Sequence, residues 1–414
     1  MKRGFYTIIA AQFFSSLADN ALLIAAIALL TEIKSPTWMT PLLKLFFYIS
    51  YVLLAPFVGA FADSMPKGRV MLISNLVKMV GCFMMFLSVH PLIAYAVVGL
   101  GAAAYSPAKY GILTELLPPE QLVVANGWIE GSTVCSIILG VVCGGILILP
   151  KVSNLLLQID FPILDTGVDT PAEAAISVIA VSYLIASLIN FKIPLTHAKY
   201  ESRSHAPVKL LTDFANCFTV LWQDKQGQIS LAVTTLFWGA GATLQFIVLK
   251  WAETALNMPL GEATRLQGAV ALGVAFGAAA AARYVPLKKS FSVLGMGVIM
   301  GIVVILMTQV HVAWLAYAML ILIGGLSGYF VVPMNAMLQH RGHTLMSSGH
   351  SIAVQNFNEN LSVLTMLGLY ALMIWCDMPM NLVIILFGAF VSLTMWLVIR
   401  KHHENLRLAG PATA

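Results

Sequence analysis

The stretch FYTIIAAQFFSSLADNALLIAAIALLTEI, residues 5–33, decides what kind of molecule this chain makes. A bilayer core needs about 20 mostly apolar residues per helix. This run exceeds that length and carries Asp19-Asn20 near its middle. Met1-Lys2-Arg3 forms a short basic region ahead of it, but a cleavable signal has an apolar core of only about 7–15 residues. The run is therefore expected to span the membrane and to stay. The whole chain agrees: of 414 residues, 59% are hydrophobic and 10% charged, against about 45–50% and about 25% in a soluble domain. No soluble fold of this size hides so much apolar surface, so a polytopic membrane protein remains. A net charge of +5 is too mild in this setting to suggest a nucleic-acid partner.

Outward from that first span, apolar runs recur near 40–62, 70–88, 92–114, 122–149, 172–194, 228–256, 264–283, 291–309, 313–338, 349–376 and 381–399. With the first they make twelve. Turn signals separate them, among them Pro66 with Gly68, His90-Pro91, Pro118-Pro119 and Pro379. Backbone groups in hydrocarbon must be satisfied within their own segment, and the runs are too long for barrel strands, so the expected class is all-α. With the N-terminus inside, sixteen Lys and Arg residues fall in cytoplasmic segments and four outside (Lys34, Lys44, Lys151, Arg265). That bias places both termini in the cytoplasm. Cys82, Cys135, Cys143, Cys217 and Cys376 show no paired spacing, so neither disulfide nor metal is expected, and nothing calls for a cofactor.

The longest cytoplasmic connection, 195–227, is polar and reads as a linker between an N-terminal bundle, 1–194, and a C-terminal bundle, 228–400, with a tail at 401–414. Residues 150–171 form an acidic external loop with Asp160, Asp165 and Asp169. The halves share weak landmarks in the same order. Span two closes on Asp63 to Arg69 and span eight on Arg283 to Lys289. Span four carries Gly99, Gly101, Tyr105 and Pro107, and span ten Gly324, Gly325, Tyr329 and Pro333. Such order argues for a duplicated, pseudo-symmetric transporter core with substrate near the midplane between six-helix halves.

An ionisable side chain at the bilayer centre costs about 2.5–3.5 kcal/mol on insertion scales, so each needs a partner or a wet cavity. At about 1.5 Å per residue, Asp19 lies roughly 20 Å from the cytoplasmic end of its span. Lys109, Glu130 and Glu359 fall in the inner half, Gln245 and Lys250 in the outer half. A purely structural alternative pairs Asp19 with Lys109. Lys78 reads as snorkelling or docked at a helix end. Glu130 stands between a buried cap and a cavity group, whereas Lys250 and Glu253 read as structural. Gln355, Asn356, Asn358, Glu359 and Asn360 crowd one short stretch and read as a cavity lining. In Gly59-x3-Asp63-x3-Lys67-Gly68-Arg69, the carboxylate can bond a neighbouring helix N-terminus or a basic residue, which is gating chemistry.

That loop, after a second span in a duplicated twelve-helix layout, resembles the signature of the major facilitator superfamily. More specific runs are AQFFSSLADNALL from Ala11, APFVGAFADSMPKGRVM from Ala55, GAAAYSPAKYGIL from Gly101, LFWGAGATL from Leu236, FVVPMNAMLQHRG from Phe330 and AVQNFNEN from Ala353. Together they resemble the bacterial lysophospholipid transporter family. The resemblance implies an inner-membrane flippase, and the chain is expected to act as a monomer. It would move lysophospholipids such as lysophosphatidylethanolamine from the outer to the inner leaflet, where an acyltransferase/acyl-carrier-protein synthetase re-acylates them. It implicates Asp19, Asn20, Lys109 and Glu359 in substrate binding; the polar positions themselves add Gln355 and Gln245, with Tyr105, Glu130, Lys250 and Asn356 as secondary candidates. Asp63, Lys67 and Arg69 are the gating set. Gln245 is a departure, since a basic residue is expected there. Two rivals are a proton-coupled small-molecule or drug antiporter of the same superfamily and a lipid-modifying acyltransferase. The latter commonly needs a His with an Asp four residues on, and none of the nine histidines has one.

Overall fold

A computed structural model describes residues 3–36, 39–158, 170–196, 206–258 and 260–409. Among these, fourteen α-helices and no strands are found. They are α1 (Arg3–Glu32), α2 (Thr40–Asp63), α3 (Lys67–Phe86), α4 (Pro91–Leu116), α5 (Leu122–Ile148), α6 (Pro150–Leu157) and α7 (Pro171–Asn190), then α8 (Pro207–Gln223), α9 (Gly227–Leu256), α10 (Leu260–Tyr284), α11 (Leu294–Leu306), α12 (Ala313–Leu345), α13 (Ser348–Trp375) and α14 (Met380–Ala409). Twelve helical segments are long and apolar enough to cross a membrane, and they coincide with the twelve expected runs to within a few residues at most ends. The tenth and twelfth run on to Leu345 and Leu408. Asp160, Asp165 and Asp169, like Lys2, Lys199 and Arg203 of the charge count, lie outside the described residues.

Two helices depart from the expected loops. α6 occupies the start of the acidic connection, and α8 occupies the second half of the linker. In α8, Leu210, Phe214, Cys217, Phe218 and Leu221 recur at helical spacing and are buried or half-buried, while Val208, Lys209 and Leu211 are exposed. An amphipathic face of that kind is a helix signal.

Contacts divide the chain into two compact units. Unit 1 comprises Met1–Leu116, Ser132–Phe214 and Ser348–Ala353; unit 2 comprises Leu117–Gly131, Ala215–Ser347 and Val354–Ala414. The short segments at the starts of α5 and α13 thus cluster apart from the rest of their helices. In unit 1, Ala18, Leu22, Ala25 and Leu29 of α1 pack with Cys82 and Met85 of α3, Tyr95 and Val98 of α4, and Ile176, Ile179 and Tyr183 of α7. Small residues on α1 let these helices approach closely. Thr170 and Glu173 form a capping box at the head of α7, and Glu32 Oε1 accepts the Ala172 N–H at 3.1 Å. In unit 2, α10 lies so close to α12 that a Cβ on Gly277 would collide with the Gly325 carbonyl. Large apolar side chains such as Leu53, Phe83, Phe276 and Leu393 are exposed, as lipid-facing positions require.

Candidate functional site

Unit 1 gathers its polar residues around Asp19. The Lys78 ammonium lies 2.8 Å from Asp19 Oδ2 and donates to Ser15 Oγ at 3.0 Å. Ser15 in turn donates to Asn75 Oδ1 at 2.8 Å. Tyr183 donates its hydroxyl to Asp19 Oδ1 at 2.7 Å. The ammonium also stands over two aromatic faces, 4.9 Å from the Tyr105 ring centre and 5.6 Å from that of Tyr183, where ring quadrupoles favour a cation. Asp19 therefore meets Lys78, and the alternative pairing with Lys109 gives way to it. Lys78 does not snorkel either: it is 1% exposed. Its signal was present in the sequence, since it is the one charged residue within the apolar body of α3.

Asn20 turns to its own helix and donates to the Ser16 carbonyl at 2.8 Å. Ser16 Oγ accepts from Ser136 of α5 at 2.8 Å, and Gln12 donates to Thr133 at 2.7 Å. Lys109 is half-buried on α4, with its ammonium 4.1 Å from the centre of the Tyr110 ring.

Unit 2 holds a second polar chain. Asn335 of α12 donates to Glu130 Oε1 at 3.3 Å. Gln355 Nε2 on α13 donates both to Asn335 Oδ1 at 2.9 Å and to Glu359 Oε1 at 2.7 Å. Two buried carboxylates are thus joined through two amides, while Gln355 Oε1 has no hydrogen-bond partner among the described residues. Asn126 and Gln339 exchange a reciprocal amide pair at 2.9 and 2.8 Å. Asn335 and Gln339 lie one helical turn apart on α12, a spacing the sequence shows but that carries no chemistry until α5 and α13 are placed. Of the polar run on α13, Asn358 and Asn360 bond carbonyls of their own helix at 2.8 and 2.7 Å, and Asn356 is buried.

Gln245 is exposed on α9; its carbonyl accepts from Gln267 at 2.6 Å, and both residues border a mostly apolar cavity. Lys250 pairs with Glu253 at 2.9 Å in an exposed contact three residues apart, which is the structural reading of that pair.

The loop after α2 makes the contacts its chemistry allows. Asp63 accepts the backbone N–H groups of Gly349 and His350, at 3.0 and 3.2 Å, and lies 2.8 Å from His350 Nδ1. It thereby caps α13, whose N-cap residue supplies no side-chain bond. Lys67, 1% exposed, bonds Asp63 at 2.6 Å and the Ala62 carbonyl at 2.7 Å, and lies 3.6 Å from Glu115. Glu115, unmarked in the sequence reading, also accepts from Thr196 at 2.5 Å. Arg69 is exposed.

The sequence model of the Major Facilitator Superfamily matches residues 8–365. The chain is 41% identical over 396 residues to "Lysophospholipid transporter LplT" of Photorhabdus laumondii, covering 95% of this chain and 94% of that one. It is 42% identical over 380 residues to the protein of the same name from Yersinia enterocolitica, covering 92% and 89%. Among solved structures it resembles the transporter FucP in its outward conformation, with a TM-score of 0.72, 14% identity and 96% and 98% coverage. A bacterial homologue of the iron transporter ferroportin gives a TM-score of 0.70 at 14% identity, covering 97% and 100%. At that identity the likeness speaks to the fold alone.

Proposed function

The chain belongs to the major facilitator superfamily and, within it, to the lysophospholipid transporters, and from that premise we propose that it flips lysophospholipids such as lysophosphatidylethanolamine from the outer to the inner leaflet of a bacterial inner membrane. The observation that carries this reading is 41–42% identity to lysophospholipid transporters over more than nine-tenths of this chain.

Physical chemistry sets the route. Burying a methylene gains about 0.8 kcal/mol, so drawing a sixteen-carbon tail through water costs on the order of 12 kcal/mol. The tail stays in apolar surroundings by entering laterally, and the zwitterionic head alone needs a polar path. In unit 1, Lys109 pairs with phosphate through charge-assisted hydrogen bonds and Asp19 attracts the ammonium, with Asn20 bonding glycerol oxygens. Lys78 and Tyr183 hold the Asp19 carboxylate in place. In unit 2, Glu359 offers the ammonium a second acceptor and Gln355 a bonding partner for head-group oxygens. An alternating-access cycle exposes the lipid to each leaflet in turn, with Asp63, Lys67 and Arg69 as the gating set. The delivered lipid is substrate for an acyltransferase/acyl-carrier-protein synthetase, the chain works as a monomer, and both termini are cytoplasmic.

Because lipid charges pair with protein charges, the cycle needs no obligatory proton. The test is uptake of radiolabelled lysophosphatidylethanolamine by spheroplasts of a null strain carrying this gene. Chemically unchanged lipid should reach the inner leaflet and continue to do so with a protonophore present. Collapse of uptake on adding the protonophore supports the antiporter instead.

A further inference from the structure

Lys78 has its bonds in place before any lipid arrives. An ammonium has three N–H groups. Two go to Asp19 Oδ2 and Ser15 Oγ, at 2.8 and 3.0 Å, and the ring faces of Tyr105 and Tyr183 lie against the nitrogen. The stem is fixed as well: a Cβ on Gly101 would stand 2.6 Å from Lys78 Cγ, so the backbone of α4 presses close to it. Side-chain exposure divides the pair, 1% for Lys78 and 18% for Asp19. The carboxylate is therefore the member that a guest can reach. Tyr183 bonds its Oδ1 and Lys78 its Oδ2, and a carboxylate has about four acceptor sites, so capacity for a further donor remains.

Lys78 is the one ion-pair partner of Asp19 among the described residues, and Lys109 makes neither an ion pair nor a hydrogen bond with it. The other titratable groups whose charge meets Asp19 are Cys82 on α3, Tyr95 and Tyr105 on α4 and Tyr183 on α7, with Tyr48 and Tyr51 of α2 next to Tyr95. Thiols and phenols are neutral at physiological pH. A carboxyl group in an apolar bundle with no cation beside it takes a proton rather than stay ionised, and a protonated Asp19 would offer the lipid ammonium no charge. We propose that Lys78 is a positioning residue that fixes the charge of Asp19, keeping it an anion for the head-group ammonium while never touching the lipid itself. This rests on the reading of Asp19 as the ammonium acceptor. It also makes uptake indifferent to pH.

Uptake of radiolabelled lysophosphatidylethanolamine by proteoliposomes of the purified full chain tests this, with equal pH on both sides and each variant scaled to its own highest rate. Scaling removes differences in the amount of folded protein. The wild type should vary less than twofold between about pH 6 and about pH 8.5, whereas Lys78→Met should fall about tenfold towards the acid end. Lys78→Gln, which keeps a hydrogen-bond donor there without the charge, should show the same acid loss. Tyr183→Phe takes a neutral donor from the same carboxylate and should stay as flat as the wild type, which a merely bracing role for Lys78 does not explain. Loss of uptake in Asp19→Asn beside flat profiles for both Lys78 variants overturns the role given to Lys78. Wild-type uptake by Asp19→Asn overturns instead the ammonium reading beneath it.

Discussion

Lys78 Nζ stands 2.8 Å from Asp19 Oδ2, tying α3 to α1 across 59 residues of sequence. The lysine side chain is 1% exposed and the carboxylate 18%. Removing one partner of a buried ion pair leaves a desolvated charge and costs about 3–5 kcal/mol, while replacing both with neutral groups costs far less. The partial exposure of Asp19 favours the lower end. Lys78→Met should therefore destabilise the protein by about 3 kcal/mol in detergent, and Lys78→Met with Asp19→Asn should recover much of the loss. Thermal melting of the two variants measures this; equal melting temperatures would mean that the pair contributes nothing.

Gly349 leaves no room for a side chain. A Cβ there would stand 2.5 Å from Asp63 Oδ1, against the carboxylate that caps α13. Gly349→Ala should push Asp63 off the helix end and reduce lysolipid uptake several-fold at normal expression, as Asp63→Asn should. Wild-type uptake by Gly349→Ala would show that the cap plays no part in the cycle.

Gln355 donates to both Asn335 and Glu359. Gln355→Leu removes both bonds at once from buried acceptors, each loss being worth about 1–3 kcal/mol. A fall in melting temperature larger than that of Asn360→Ala, which bonds the Asn356 carbonyl of its own helix, is expected. Equal falls would deny the polar chain of unit 2 a structural role.

How far the sequence carried the reading depends on what each residue needed. The twelve spans were legible because length and hydropathy are properties of single segments. Asp63 bonding a helix N-terminus and Lys67 was legible because loop spacing limits what a carboxylate at that place can reach. The Asp19–Lys78 pair was not: Lys78 and Lys109 both lie in spans, and only the packing of α3 and α7 against α1 selects between them. Glu130, Asn335, Gln355 and Glu359 come from three helices, so their chain exists only once α5, α12 and α13 are side by side. α8 was hidden because the polar residues before it masked its period.

Arg341 and Asp224 are bonded at 2.5 and 3.1 Å in unit 2. Burial alone raises the Asp224 carboxyl, but the Arg341 guanidinium and the N–H groups of Gly227 and Gln226 outweigh it and hold the group below its ordinary value of 3.8. A group depressed by folding adds stability that is full above its unfolded pKa and is lost as pH falls through the folded one. The wild type should therefore melt above Arg341→Gln at neutral pH, and the difference should shrink as pH drops below about 4. A difference unchanged down to pH 3 would contradict this.

In the proposed cycle, fixed charges within the helices carry the head group. Leaflet-resolved uptake of radiolabelled lysophosphatidylethanolamine in spheroplasts, compared for wild type, Lys109→Ala and Asp19→Asn at matched expression, tests it most directly. Loss of uptake in both variants is the predicted result. Uptake at the wild-type rate in both would contradict the account.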